Sequence, residues 1–277
     1  MFFGYNTNGF AHHRLADTIS ILADLGYQGI GLTVDYHTIN VLDPDWKRVA
    51  EIVRRQLDQQ RMHCVVETGA RFLLDPKRKH QPTLLSADPS DRQYRWDFLA
   101  QCVELGALLN APVSFWSGTP TDAAPPEIYF TRLVDACKRL ADYAAPRQVR
   151  LAFEPEPGMF IDTMAQFRVL HDRVAHPHFG LTLDVGHLQC LGEAPSSAHI
   201  RQWREQLFNL HIEDMKRGVH DHLFFGEGDI DFADIFTALR DIRYVGGVFV
   251  ELSRHSHNAV VVAQESITFL RQATGIR

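Results

Sequence analysis

The chain has 277 residues, of which 45% are hydrophobic, 10% aromatic and 22% charged. This is the composition of an ordinary globular protein, and it excludes long disorder, collagen and coiled coil. The 28 basic and 34 acidic residues leave a formal net charge of -6, and no basic stripe stands out, so phosphate-driven binding to nucleic acid is not expected.

Apolar runs and cysteines narrow the class of protein further. No apolar run approaches the roughly 20 residues that span a bilayer, so we expect no membrane segment. The N-terminus lacks a basic leader followed by an apolar stretch, so we expect the cytoplasm as the location. The four cysteines form no close pair in the sequence and are predicted to be buried thiols. Fifteen histidines, seven of them between positions 176 and 222, point to metal binding.

Short runs rich in β-branched and aromatic residues recur along the chain and predict eight strands. They cover residues 2–5, 29–34, 63–67, 111–115, 149–153, 180–183, 208–212 and 247–251. Apolar residues at helical spacing, such as Leu15, Ile19 and Leu22, lie between them. Eight repeats of about 35 residues fit the βα unit and predict an α/β fold, a (β/α)8 TIM barrel formed by residues 1–277 as one domain. A doubly wound open sheet is the rival, but no glycine-rich phosphate turn follows an early strand.

Polar side chains end the last four predicted strands, and in a barrel these ends meet at the active-site face. They are Glu154, Asp184, His211 and Glu251. Three carboxylates and one imidazole suit a divalent ion such as Mn²⁺, Mg²⁺, Co²⁺ or Zn²⁺. For each residue alone, a helix N-cap or a pairing with Arg or Lys is an alternative. Taken together within a barrel, the four residues predict one metal site.

The segments around these residues carry a family resemblance. Their sequences are FEPEPG at 153–158, LDVGH at 183–187, LHIED at 210–214 and VEL at 250–252. In order and spacing they resemble the motifs of the xylose-isomerase-like sugar phosphate isomerase/epimerase superfamily. The resemblance covers most of the C-terminal half, whereas the N-terminal half contributes mainly the barrel rhythm.

This resemblance implies a metal-dependent isomerase or epimerase that acts on a sugar, keto-sugar or related polyol. The four strand-end residues would bind one divalent ion, manganese being one candidate. Glu154 and Glu251 resemble paired catalytic glutamates, one removing and the other returning a proton through a metal-stabilised enediolate. His187 and Arg217 match positions that contact substrate in ketose 3-epimerases, with a structural hydrogen bond as the alternative for each.

Three further residues are candidates for substrate binding. Glu67 ends the third predicted strand and either bonds a substrate hydroxyl or forms a salt bridge to Arg71. Trp116 forms an apolar wall for a sugar or is simple packing. His222, in the stretch 220–228, is a substrate contact, a further metal ligand or part of a solvated loop.

Two other functions stay open. A dehydratase or lyase acting on an inosose-like or keto-glycoside substrate would use the same metal and proton abstraction. A non-catalytic metabolite-binding barrel is suggested by a departure from the epimerase motif. The epimerases carry a substrate-contacting Glu six residues after the position of Glu154, where this chain has Phe160, and Glu156 lies only two residues after Glu154.

No phosphate cradle accompanies the basic run 77–80, which favours an unphosphorylated substrate. One sequence leaves homo-oligomer formation open.

Overall fold

The structure of the protein is a computed structural model that describes residues 1–275. The last two residues of the predicted domain, 276 and 277, lie outside the described residues. The barrel strands are β1 (Phe2–Asn6), β2 (Gly29–Thr33), β3 (His63–Glu67), β4 (Val113–Phe115), β5 (Leu151–Phe153), β6 (Phe179–Asp184), β7 (Leu207–Ile212) and β10 (Gly247–Val250), and a separate hairpin is formed by β8 (Asp214–Lys216) and β9 (Val219–Leu223). The barrel strands are parallel and close in the order β1-β10-β7-β6-β5-β4-β3-β2. The predicted (β/α)8 barrel is confirmed.

Helices connect successive barrel strands. They are α1 (Leu15–Leu25), α2 (Trp46–Gln60), α3 (Pro89–Leu109), α4 (Pro126–Ala144), α5 (Met164–Val174), α6 (Val185–Leu191), α7 (Ser196–Gln202), α8 (Phe232–Asp241) and α9 (Ala259–Thr274), with short 3-10 turns at Thr7–Phe10, Ala145–Arg147 and Ser253–Asn258. Side-chain caps fix several helix starts: the Asp88 carboxylate accepts from the amide of Ser90, and Thr163 and Gln166 form a capping box.

The strands β4 and β5 each begin two residues later than predicted, and backbone hydrogen bonds explain why. The amide of Ala111 donates to the carbonyl of Gly106, and that of Val149 donates to the carbonyl of Ala144. Both amides therefore complete the end of the preceding helix and do not enter the sheet ladder. The hairpin β8–β9 was not predicted as strand. It places the stretch around residue 220 on a strand.

The interior of the barrel is filled in layers. Near the N-terminal ends of the strands, the ring of Phe249 occupies the space where side chains at Gly4 and Gly29 would lie. Above it, the hydroxyls of Ser114 and Thr182 lie 2.8 Å apart. The layer below the C-terminal ends of the strands is therefore already polar.

The outer layer packs the strands against the helices through aromatic rings. Phe153 on β5 lies edge-on to Phe115 on β4, at 5.3 Å between ring centroids, and is stacked on Phe167 of α5 at 6.0 Å. All three side chains are fully buried. This packing fixes β5, the strand that leads directly into Glu154.

The cysteines and the helices agree with two expectations from the sequence. All four cysteines are buried free thiols, as predicted. Within residues 1–275, no helix is both long enough and apolar enough to cross a bilayer.

We predict that Phe153→Ala destabilises the barrel strongly, because it removes a fully buried ring from a packed aromatic cluster. The free energy of unfolding should fall by about 3–5 kcal/mol, measured by urea denaturation followed by circular dichroism. Val245→Ala is the control, because Val245 is 82% exposed and should change stability by less than about 0.5 kcal/mol. Equal effects of the two changes would contradict this packing account.

Candidate metal and active site

The carboxyl ends of four neighbouring strands bring the predicted ligands together. Glu154, Asp184, His211 and Glu251 each contribute one ligand atom to a group in which all atoms lie within 4.8 Å of one another. Glu154, Asp184 and His211 are buried, and Glu251 is partly buried. We call these four residues the four-ligand cluster.

The imidazole of His211 lies at the centre of this cluster. Its Nδ1 atom is 2.8 Å from Glu251 Oε2, 3.2 Å from Glu154 Oε1 and 3.8 Å from Asp184 Oδ2. The ring edge carrying Nδ1 therefore faces all three carboxylates.

The opposite edge of the His211 ring is held by two other side chains. Its Nε2 atom lies 2.9 Å from Glu67 Oε1, and the amide of Asn209 donates to the same carboxylate oxygen at 3.0 Å. A proton on Nε2 would be donated to Glu67, which leaves the Nδ1 lone pair directed at the cluster. Glu67 therefore orients the imidazole in the way that carboxylates orient metal-binding histidines.

Two asparagines from the start of the chain hold Glu251. The amide of Asn8 donates to Glu251 Oε1 at 2.9 Å, and that of Asn6 donates to Oε2 at 3.2 Å. Asn6 reaches this position only because residue 31 is glycine: a Cβ atom at Gly31 would lie 1.8 Å from Asn6 Oδ1. The N-terminal strand is thus part of the site.

Asp184 has two functions at once. Its Oδ1 atom caps helix α6 by accepting from the amide of His187 at 2.9 Å. Its Oδ2 atom is buried and has no hydrogen-bond partner among residues 1–275. Asp184 is therefore a helix N-cap, which was the alternative for this residue, but only its Oδ1 atom takes part in the cap.

The charges of the cluster are not balanced by its own residues. Burial by itself would lower the pKa of His211. The negative charges of Glu67, Glu251 and Glu154 have the larger combined effect, so the pKa of His211 lies well above its ordinary value. Burial raises the pKa of Glu154 well above its ordinary value, and the charges of Glu251 and Asp184 add to this despite His211. Burial also opposes ionisation of Glu251, yet the charge and hydrogen bond of His211 bring its pKa below the ordinary value.

One imidazole thus faces several buried carboxylates, and Asp184 Oδ2 remains without a partner. A cation would relieve the repulsion between these carboxylates and satisfy the free oxygen. The donor set fits a divalent metal ion.

The cluster forms the floor of a cavity of about 260 Å³. Glu154, His211 and Glu251 line it directly. Four of the other predicted site residues also line this cavity: Glu67, Trp116, His187 and His222. The predicted site therefore comes together in one place, with one exception.

Arg217 is that exception. It is exposed in the tight turn of the β8–β9 hairpin, and its guanidinium lies beside Gly192. It does not line the cavity. The family resemblance implied that Arg217 contacts substrate, but in this structure the turn of the β8–β9 hairpin holds it outside the cavity.

The other predicted substrate contacts have partners of their own. His187 Nδ1 lies 3.2 Å from the carbonyl of Pro155, and its Nε2 lies 3.1 Å from His220 Nε2. Trp116 is buried, with the guanidinium of Arg95 4.6 Å from its ring centroid. Trp116 thus packs against Arg95 and also lines the cavity.

Several site residues were not identified from the sequence. Asn209 lies two residues before His211 on the same strand and so faces the same side, a signal that strand alternation supplies. Glu156 was considered only as a departure from the epimerase motif, but it lines the cavity. Burial raises its pKa to about 8. Glu213 is fully buried beside Asp184, and burial followed by the Asp184 charge raises its pKa well above the ordinary value.

Solved structures with the same fold cover almost the whole chain. IOLI protein with a bound zinc atom superposes with a TM-score of 0.78 at 18% identity, covering 99% of this chain and 98% of that one. D-allulose 3-epimerase from Methylomonas sp. in complex with D-allulose gives a TM-score of 0.76 at 19% identity, covering 99% and 97%. These similarities establish the fold.

The sequence comparisons agree with the structural ones. L-ribulose-5-phosphate 3-epimerase UlaE of Shigella flexneri serotype 5b is 23% identical over 250 residues, which is 86% of this chain and 80% of that protein. Residues 19–273 match the family described as the xylose isomerase-like TIM barrel. The resemblance noted in the sequence motifs is confirmed: the chain belongs to the xylose isomerase-like TIM barrel family.

Proposed function

We propose that the protein is a divalent-metal-dependent isomerase or epimerase of a sugar, keto-sugar or related polyol, formed by residues 1–277 as a single domain. The observation that carries this proposal is the four-ligand cluster at the floor of the cavity. Two of the similar proteins named above, the D-allulose 3-epimerase and the L-ribulose-5-phosphate 3-epimerase, act by their names on a ketose and a ketose phosphate, which supports the same substrate class.

In this proposal Glu154, Asp184, His211 and Glu251 hold one divalent ion. Zinc has support from the zinc-bound IOLI protein, and manganese, magnesium and cobalt suit the same ligands. When bound, such an ion polarises a substrate carbonyl and makes the neighbouring C–H more acidic.

The chain's own residues then move the proton. Glu154 and Glu251 both line the cavity and approach His211 from β5 and β10. We assign one of them to remove the proton from the carbon beside the carbonyl and the other to return a proton, so that the carbon passes through an enediolate. Asn6 and Asn8 fix the carboxylate of Glu251 for this step.

The substrate fits a polar cavity with one aromatic wall. Trp116 offers apolar surface to the C–H groups of a sugar, and His222 offers a ring nitrogen to a hydroxyl. His187 also lines the cavity, but its two ring nitrogens face the carbonyl of Pro155 and His220. Arg71, Lys79 and Arg254 also line the cavity. These cations supply charge for a phosphate, so the absence of a glycine-rich cradle does not argue against a phosphorylated substrate.

One observation favours elimination as a second candidate reaction. Glu156 lines the cavity, and burial raises its pKa to about 8, so it holds a proton at neutral pH that a leaving hydroxyl needs. A dehydratase or lyase would use the same proton abstraction. Product mass separates the two, because epimerisation and isomerisation leave the mass unchanged and elimination removes water or an aglycone.

We predict hydrogen exchange at the carbon beside the carbonyl when Mn²⁺-loaded protein acts on ketoses in D₂O. The panel contains L-ribulose, L-ribulose 5-phosphate and D-allulose, and deuterium is counted by mass spectrometry. Glu251→Gln should slow the exchange by about 10²–10⁴-fold, because the amide cannot accept the proton. Glu265→Gln is the control, since Glu265 is an exposed residue of α9. Absence of exchange across a broad ketose panel would contradict the proposal.

We further predict that Glu67→Gln weakens metal binding and spares folding. The neutral amide no longer attracts the proton on His211 Nε2, so the imidazole is a poorer and less oriented ligand. The Mn²⁺ concentration that restores half of the exchange to chelator-treated protein should rise by about 10–100-fold. An unchanged Mn²⁺ requirement, with Glu265→Gln as reference, would show that Glu67 does not orient the ligand.

A further inference from the structure

A second cavity lies at the opposite end of the barrel from the four-ligand cluster. It has a volume of about 670 Å³, which is large enough for a small organic molecule. The starts of barrel strands line it, among them Phe2 of β1, His63 of β3 and Gly247 of β10. Among residues 1–275, the two cavities share no lining residue. We call it the N-terminal cavity.

Aromatic rings form apolar walls in the N-terminal cavity. Phe249, the ring that fills the barrel interior near the strand starts, lines it from the inside. Phe208 lines its side and occupies space that a larger residue at position 180 would need, since a Cβ atom at Gly180 would lie 2.5 Å from Phe208 Cε2. Val245 also lines the cavity and is 82% exposed. Apolar surface is therefore open to a ligand here.

The charge of this cavity is opposite in sign to that of the whole protein. Three arginines, Arg54, Arg61 and Arg150, line it together with a single carboxylate, that of Asp58. With His63 neutral, three positive charges and one negative charge leave the cavity positive, whereas the chain carries a formal net charge of -6. Such a concentration of positive charge attracts anions.

Two of the three guanidinium groups have no carboxylate partner. Asp58 Oδ2 lies 3.4 Å from Arg54 Nη1. The side chains of Arg61 and Arg150 form no hydrogen bond or ion pair with the part of the chain that the structure describes. The guanidinium of Arg150 instead lies over the ring of Phe208, 4.8 Å from its centroid. This contact holds the guanidinium beside an apolar wall with its N–H groups free to donate.

The walls and the charges together define the chemistry of a ligand. A guanidinium group binds phosphate oxygens through two parallel hydrogen bonds, so Arg61 and Arg150 suit a phosphate group. An aromatic or other apolar body attached to this phosphate would remove the surfaces of Phe208 and Val245 from water. A second copy of the chain fits less well, because a two-fold symmetric contact would place the same arginines against each other.

We propose that the N-terminal cavity binds a small organic phosphate, with its phosphate held by Arg61 and Arg150 and its apolar body packed against Phe208. Because this cavity lies at the end of the barrel away from the four-ligand cluster, its ligand is an effector and not the substrate of the proposed reaction. The site therefore goes beyond the proposed function, and either one can fail without the other.

Binding of 1-naphthyl phosphate to the full-length protein tests this site. The compound joins a phosphate to an aromatic body, and inorganic phosphate and 1-naphthol represent its two parts separately. By isothermal titration calorimetry, we expect one 1-naphthyl phosphate per chain, bound about tenfold or more tightly than either part. Arg61→Gln and Arg150→Gln should each weaken this binding by about 10–100-fold, because each removes charge-assisted hydrogen bonds to the phosphate.

Two variants serve as matched controls, and neither should change the affinity. Arg55→Gln removes the same charge from the helix that carries Arg54, but Arg55 does not line the cavity. Lys79→Gln removes a positive charge from the cavity above the four-ligand cluster. Arg55, Arg61 and Arg150 are exposed, so their variants should melt at the wild-type temperature by circular dichroism.

Several outcomes would overturn the proposal. They are absence of binding by wild type, an unchanged affinity in both Arg61→Gln and Arg150→Gln, and equal weakening by Arg55→Gln. Equal affinities for 1-naphthyl phosphate and for either of its parts would show that phosphate and apolar body are not recognised together. Loss of binding in Lys79→Gln alone would place the compound at the other end of the barrel. A dimer in sedimentation velocity that dissociates in Arg150→Gln would assign this face to a second copy of the chain.

Discussion

The repulsion among buried carboxylates at the mouth of the barrel is the constraint on which the rest of the site depends. Glu154, Asp184 and Glu251 face one imidazole edge of His211. The imidazole of His187 also lies 3.7 Å from Glu154 and 3.6 Å from Asp184, but burial lowers its pKa to about 4, so it adds little positive charge at neutral pH. One imidazole cannot compensate three buried negative charges. A divalent ion would resolve this conflict, and the four residues fit such an ion.

The barrel supports this cluster from several strands far apart in sequence. Asn6 from β1 and Glu67 from β3 lie on either side of it, one bonded to Glu251 and the other to His211. Glycine at position 31 gives Asn6 the room to do so. The four ligands come from the second half of the chain, but their orientation depends on the first half. A change in β1 or β3 therefore acts on the metal site without touching a ligand.

The sequence allowed the fold and the convergence of the four polar strand ends to be predicted because both follow from short-range signals. Strand composition and helical spacing repeat along the chain, and parallel strands all end on one face, so polar residues at those ends must meet. Asn6 and Asn8 were missed because a lone Asn has no such signal without its long-range partner, here Glu251. Arg217 lies outside the cavity because it belongs to the turn of a hairpin that the sequence pattern does not predict. Glu213 was passed over since a carboxylate after a strand usually faces solvent, whereas this one is buried.

Anomalous diffraction from crystals soaked in Zn²⁺ measures the central claim most directly. The account predicts a zinc peak about 2.0–2.2 Å from His211 Nδ1 and from one oxygen each of Glu154, Asp184 and Glu251. A fully occupied zinc ion elsewhere with none in this cluster, or a His211 ring that turns its Nε2 atom towards the carboxylates, would contradict it.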